Sequence, residues 1–337
     1  MTKTGVLLVN LGTPDSPAVK DVRRYLFEFL NDPRVIDIPA ALRFFLVNFI
    51  IVPFRAPKSA EVYKMLWTEK GSPIIIYGES LKEKLQQALG DNYEVELAMR
   101  YQNPSLDDVL NRMRTKNYKK IIVIPLFPQY ASATTGSVIE KVMKIVSKWW
   151  VIPEIKFIGQ FFDNEGYLNT IIEQAKKYNL NEYDHILFSY HGLPERQVDK
   201  VYFDNKPCSD HKCDEELNDE NIYCYKATCY ATTRLLAKKL NISKDKYTVC
   251  FQSRLDKKWL EPFSDKVVIE QAQKGAKKLL VFSPAFVADC LETIVEIGIE
   301  YQKLFEEHGG EKVQLVESLN DHPMWINTLK DIVLKES

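Results

Sequence analysis

His185–Pro194 (HILFSYHGLP) and Pro284–Glu300 (PAFVADCLETIVEIGIE) decide how this chain is read. Each reads as an apolar, buried parallel strand that releases a reactive side chain at its end, where open α/β sheets bind ligands. The first releases His191. The second opens a helix bearing Glu292, Glu296 and Glu300. At roughly 100° per residue, a four-residue step advances only about 40°, so the three carboxylates share one face. An imidazole and a row of acids suit the movement of protons and of a divalent metal. The plainer readings are a capping histidine and a solvated helix face.

Working outward, the pattern occurs twice. Val6–Pro14 (VLLVNLGTP) and Ile186–Pro194 (ILFSYHGLP) both end in Gly-x-Pro. Val95–Gln102 and Tyr247–Arg254 follow as second strands ending in polar or basic clusters. Ile121–Gln129 and Leu279–Phe286 follow as third strands with a proline at the end. Helical periods lie between them, for example over Ser80–Leu89 and Pro104–Met113, so each half alternates strand and helix and its sheet should be parallel. The expected fold is α/β: two similar Rossmann-like domains, parallel sheets flanked by helices, with a cleft between them. Residues 1–160 form the first domain, with an apolar lip at 36–58. Residues 161–337 form the second, with a four-cysteine insertion at 204–230.

The chain has 337 residues, 45% hydrophobic and 27% charged, enough for two medium cores. Lys plus Arg number 45 against 46 Asp plus Glu, so no basic excess points to nucleic acid. The N-terminus runs straight into a strand without a signal-peptide pattern, which sets the expectation of a cytoplasmic protein. The longest apolar stretch, Ala40–Phe54 (AALRFFLVNFIIVPF), is shorter than the ~20 residues a bilayer requires and is interrupted by Arg43, Asn48 and Pro53. It is expected to be a core helix or, with Arg43, Arg55 and Lys58 flanking its aromatics, a lip touching a membrane surface or a greasy ligand.

Four of the six cysteines, Cys208, Cys213, Cys224 and Cys229, fall within 22 residues, spaced C-x4-C-x10-C-x4-C. Without a secretory signal, a compact quartet reads as a metal site rather than as disulfides. The spacing leaves zinc and an iron–sulfur cluster both open, with His211 a substitute ligand. Cys250 and Cys290 lie in apolar contexts and read as small buried residues.

The motifs together resemble a known family. Gly5–Pro14 (GVLLVNLGTP), Arg100-Tyr101, Pro128–Ser137 (PQYASATTGS), Ser189–Pro194 (SYHGLP), Phe251–Pro262 (FQSRLDKKWLEP) and Asp289–Glu296 (DCLETIVE) occur in the order found in ferrochelatases, enzymes that insert ferrous iron into a porphyrin at the last step of haem biosynthesis. The chemistry agrees with the resemblance. Metallation removes two pyrrole protons, strips water from Fe²⁺ and bends the ring, so it requires a base near neutrality, hard or borderline metal ligands and a tight wall. The resemblance implies His191 and Glu292 as catalytic residues, with Asp289 and Glu296 joining them along the metal's path. Tyr101, Phe127, Tyr130 and Trp259 are candidates for the ring faces, and Arg100 and Ser132 for polar contacts or propionates.

Some ferrochelatases hold a [2Fe–2S] cluster with a cysteine in the PQY segment and three near the C-terminus. This chain departs from that pattern, with Ser132 in the first place and no cysteine after Cys290. Other bacterial members carry the four ligands together in the second domain. The resemblance therefore implies a [2Fe–2S] cluster on Cys208, Cys213, Cys224 and Cys229, the alternative being a structural zinc. It implies protoporphyrin IX and Fe²⁺ as partners; the apolar lip adds the expectation of peripheral contact with the inner membrane surface. Coproporphyrin metallation and a non-catalytic tetrapyrrole- or metal-binding protein are the competing readings. A zinc hydrolase would need clustered histidines that the sequence lacks.

Overall fold

Runs such as Val6–Val9, with both faces apolar, are stable only as strands covered on both sides, and all four of these residues are fully buried. The computed structural model describes residues 3–337. They form two compact units: one comprises the chain up to Phe127 with Ser132–Gln160 and Asn320–Ser337, the other Pro128–Ala131 with Phe161–Leu319.

The first unit contains β1 (Thr4–Gly12), β2 (Tyr93–Tyr101), β3 (Lys120–Pro125) and β4 (Glu154–Phe157), all parallel, in the order β2-β1-β3-β4. The second contains β5 (His185–His191), β6 (Tyr247–Gln252), β7 (Lys278–Phe282) and β8 (Lys312–Leu315), again parallel, in the order β6-β5-β7-β8. The order reverses between β1 and β3 and between β5 and β7, the switch points at whose strand ends open α/β sheets bind ligands. The repetition read from the strand ends is therefore a repetition of topology. It reaches into detail. Gln102 and Ser253, just past the second strands, both adopt left-handed backbone. The carbonyl of a following cis-proline, Pro104 or Pro262, accepts from Met99 N at 2.7 Å or Phe251 N at 2.9 Å.

Three features differ from the sequence reading. The acidic segment after β7 is a π-helix, Glu292–Tyr301, running into an α-helix, Gln302–Glu307. With i→i+5 bonds and about 4.4 residues per turn, a four-residue step falls roughly 30° short of a full turn, so the acids still share a face. The matching segment of the first unit is also π, at Ser132–Gly136, before the helix Ser137–Val146.

The apolar lip belongs to a continuous helix, Ala40–Leu66, of 27 residues, long and apolar enough to cross a membrane by length and composition. It is docked instead: Val47, Val52, Ala56 and Ala60 are buried with Val22, Tyr25 and Leu26 of the helix Val19–Leu30. Its other face leaves Phe44, Phe45, Phe49 and Phe54 exposed.

The last helix, Pro323–Lys335, belongs to the first unit and not, as the 161–337 boundary had it, to the second. It buries Trp325, Leu329 and Val333, and Asp321 just before it bonds Ser80 and Lys84 on the helix Pro73–Leu89. An amphipathic helix settles where its apolar face is covered, whatever its position in the sequence.

Candidate active site and thiol centre

In the second unit, β5 ends on His191, in register with Gln252 at the end of β6. Gly192 follows because no side chain fits there: a Cβ would lie 2.8 Å from the Gln252 carbonyl oxygen and 3.3 Å from the Trp259 ring. His191 is half-buried between Trp259 and Phe286, ring centroids 6.5 and 6.4 Å away. Its Nδ1 lies 2.6 Å from the Gly192 carbonyl oxygen. A carbonyl only accepts, so Nδ1 carries the proton and Nε2 presents its lone pair.

Gln252, fully buried, ties the strand end to the acidic helix. Its oxygen accepts from Ser189 at 2.7 Å, and its nitrogen donates to the Glu292 carbonyl oxygen and to Glu296 Oε2, both at 3.0 Å. Glu296 also accepts from Ser253 N at 2.8 Å, from the Ser253 hydroxyl and from Tyr301 Oη at 3.0 Å. Both of its oxygens are committed, so it anchors β6 to the π-helix. Glu292, one turn earlier, is half-buried with the Cys290 thiol beside it. Glu300 reaches solvent; what burial it has, and the Glu296 charge, push its carboxyl above the ordinary range. Asp289 is buried, with Oδ1 taken by Thr293 Oγ1 and Ser318 N, both at 3.3 Å. Through these bonds it braces the turn into the π-helix.

The first unit corrects two further assignments. Tyr101 is fully buried, edge-on to Phe29 at 5.1 Å, and offers no face to a substrate. The Arg100 guanidinium is paired with buried Asp32 at 2.5 Å, and Asp32 also accepts from Tyr101 Oη at 2.9 Å and Ser137 Oγ at 2.5 Å. Arg100 is thus spent on neutralising a buried carboxylate, which would otherwise be costly, and is not free for a propionate. Ser132 accepts from Arg34 Nη1 at 2.9 Å, and Phe127 packs on the first unit's core. Tyr130 belongs to the second unit, half-buried and edge-on to Tyr223 at 5.7 Å. Gln252, Phe286, Asp32 and Arg34 were not singled out from sequence; only the polar end of the second strand hinted at Gln252.

Of the four expected cysteine ligands, three converge. The sulfurs of Cys208, Cys213 and Cys224 lie within 4.8 Å of one another, all buried, with Cys208 and Cys224 at 3.4 Å. Hydrogen bonds from Cys208 and Cys213 hold the Cys224 thiol well below its ordinary range, and their counterparts push Cys208 up. Cys229 is not among them. Cys224 caps the helix Tyr225–Leu240, and five residues at about 100° each turn Cys229 roughly 140° away. It is fully buried beside Tyr225, and burial pushes its thiol up.

These features can be set against known proteins. The Ferrochelatase family model matches residues 3–337. A protein named Ferrochelatase from Coxiella burnetii (strain Dugway 5J108-111) is 44% identical over 99% of this chain and 94% of its own length. One from Legionella pneumophila (strain Lens) is 44% identical over 98% of each. The chain belongs to the ferrochelatase family. It is accordingly a porphyrin metal chelatase, acting on ferrous iron and a porphyrin. The fold is shared more widely: SirB from Bacillus subtilis with Fe3+ superposes with a TM-score of 0.55 at 13% identity, covering 99% of this chain and 95% of that one.

Proposed function

We propose that the chain inserts Fe²⁺ into protoporphyrin IX, with His191 Nε2 as the base that takes the pyrrole protons. Two N–H protons leave the ring as the iron enters it, so porphyrin and Fe²⁺ give haem and two protons. The observation that carries this reading is the Nδ1–H bond to the Gly192 carbonyl, which fixes the tautomer and leaves Nε2 open at the end of β5. Glu292, free of the anchoring that holds Glu296, is the acid that meets the hydrated metal. Trp259 and Phe286 flank His191 as apolar walls.

The exposed phenylalanines of Ala40–Leu66, with Arg55 and Lys58 exposed beside them, support docking of a cytoplasmic protein on the inner membrane surface, where a poorly soluble porphyrin resides. The [2Fe–2S] cluster implied by the resemblance requires four ligands, two per iron. Cys208, Cys213 and Cys224 supply three converging thiols, with Cys229 buried outside that group, and no step of the reaction is assigned to a cluster.

Anaerobic assays with Fe²⁺ and protoporphyrin or coproporphyrin in excess test the reading. Multiple turnovers on protoporphyrin, abolished in His191→Ala, are expected. Preference for coproporphyrin would reassign the substrate, a single stoichiometric spectral shift would mean a binding protein, and an active His191→Ala would remove the base.

A further inference from the structure

We infer that Cys208, Cys213 and Cys224 form a single-ion site for a thiophilic divalent cation such as Zn²⁺, with the Tyr202 hydroxyl, and not Cys229, covering its fourth face. In a tetrahedral site with metal–sulfur bonds of about 2.3 Å, sulfurs sharing one ion stand about 3.8 Å apart. Three sulfurs all within 4.8 Å, two of them at 3.4 Å, match that spacing. Thiolates on the two irons of a cluster must stand farther apart than thiolates on one ion, and among the described residues no fourth ligand atom lies within 4.8 Å of all three.

The fourth face is occupied. Tyr202 is buried, and its hydroxyl lies 2.8 Å from Cys213 Sγ. The His211 ring lies flat against the phenol, centroids 3.7 Å apart at 3°. Its Nε2 makes no hydrogen bond, the nearest acid being Asp204 Oδ1 at 3.4 Å. The stacked imidazole packs the phenol in place beside the sulfurs. Cys208 comes from a short 3-10 turn, Cys213 from the following loop and Cys224 from a helix cap, so one ion would pin three otherwise separate pieces of chain.

The test is metal and acid-labile sulfide analysis of full-length protein purified without oxygen, then reconstituted with Zn²⁺ or Co²⁺. One divalent ion per chain and no sulfide is expected, unchanged in Cys229→Ser and lost in Cys213→Ser. The Co²⁺ form should show tetrahedral ligand-field and thiolate charge-transfer bands that survive Cys229→Ser. Tyr202→Phe should lose the ion to a chelator about 10–100-fold more readily. Two irons and two sulfides per chain, with colour lost in Cys229→Ser, would overturn the inference in favour of the four-cysteine cluster. No ion in either preparation would leave three ordinary thiols. Tyr202→Phe holding metal as tightly as wild type would remove the tyrosine from the site.

Discussion

Two neighbouring carboxylates with the same sequence signature have different tasks. Glu292 lacks the four donors that hold Glu296, so Glu292→Gln should lower kcat by at least an order of magnitude while the melting temperature stays put. Glu296→Gln leaves donors from Gln252, Ser253 and Tyr301 facing an amide. It should cost about 1–3 kcal/mol of stability as well as activity. Parallel kinetics and thermal melts separate the two, and equal losses of stability would contradict the division of labour. The sequence carried the three-acid face correctly. It could not carry the division, because three of Glu296's four donors, from Gln252 and Ser253, come from the end of a strand more than forty residues earlier. Arg100 and Tyr101 failed for the same reason: their partner, Asp32, lies some seventy residues away, and nothing local marks it as buried.

At the level of elements, strand ends were legible because apolar runs stopped at glycine and proline. The four-residue edge strands β4 and β8 were not, being too short and too polar to show a period. Nor was the π-helix, since α and π patterns differ little over ten residues. The junction of β5 and β6 gives a direct test. Gly192→Ala drives a methyl against the Gln252 carbonyl, parting the strand ends that set His191 and Gln252. Turnover should fall about tenfold or more, with a stability loss of about 1–3 kcal/mol. Gly159→Ala, with open space around it, should be neutral in both assays. At the opposite end of the same sheet, Asp184 Oδ2 accepts from Lys277 N at 2.7 Å and Lys278 N at 2.9 Å, and those bonds hold its carboxyl below the ordinary range. A depressed carboxylate contributes stability above its unfolded pKa near 3.9 and loses it as pH falls through the folded value. The melting-temperature gap between wild type and Asp184→Asn should therefore be present at pH 7 and close below about pH 4.

Across the whole molecule, the duplication was readable from three pairs of strand ends, and the repeated strand order accounts for it. The lip was legible as apolar, but its docking on the helix Val19–Leu30 was not, because small residues such as Ala56 and Ala60 hide the buried stripe among larger exposed ones. Phe49 and Phe54, 61% and 74% exposed, should then be replaceable without loss of stability. The pair Phe49→Ser and Phe54→Ser should melt like wild type yet sediment less with anionic lipid vesicles. Unchanged sedimentation would dissociate the lip from membrane contact.

The return of Asn320–Ser337 to the first unit has a consequence for biogenesis. The helix Pro73–Leu89 is made early, but the segment that covers it leaves the ribosome only after the entire second unit. At about 5–20 residues per second, that delay is on the order of 10–50 s. During it, the nascent helix Pro73–Leu89 lacks the helix Pro323–Lys335 that packs on it in the finished fold.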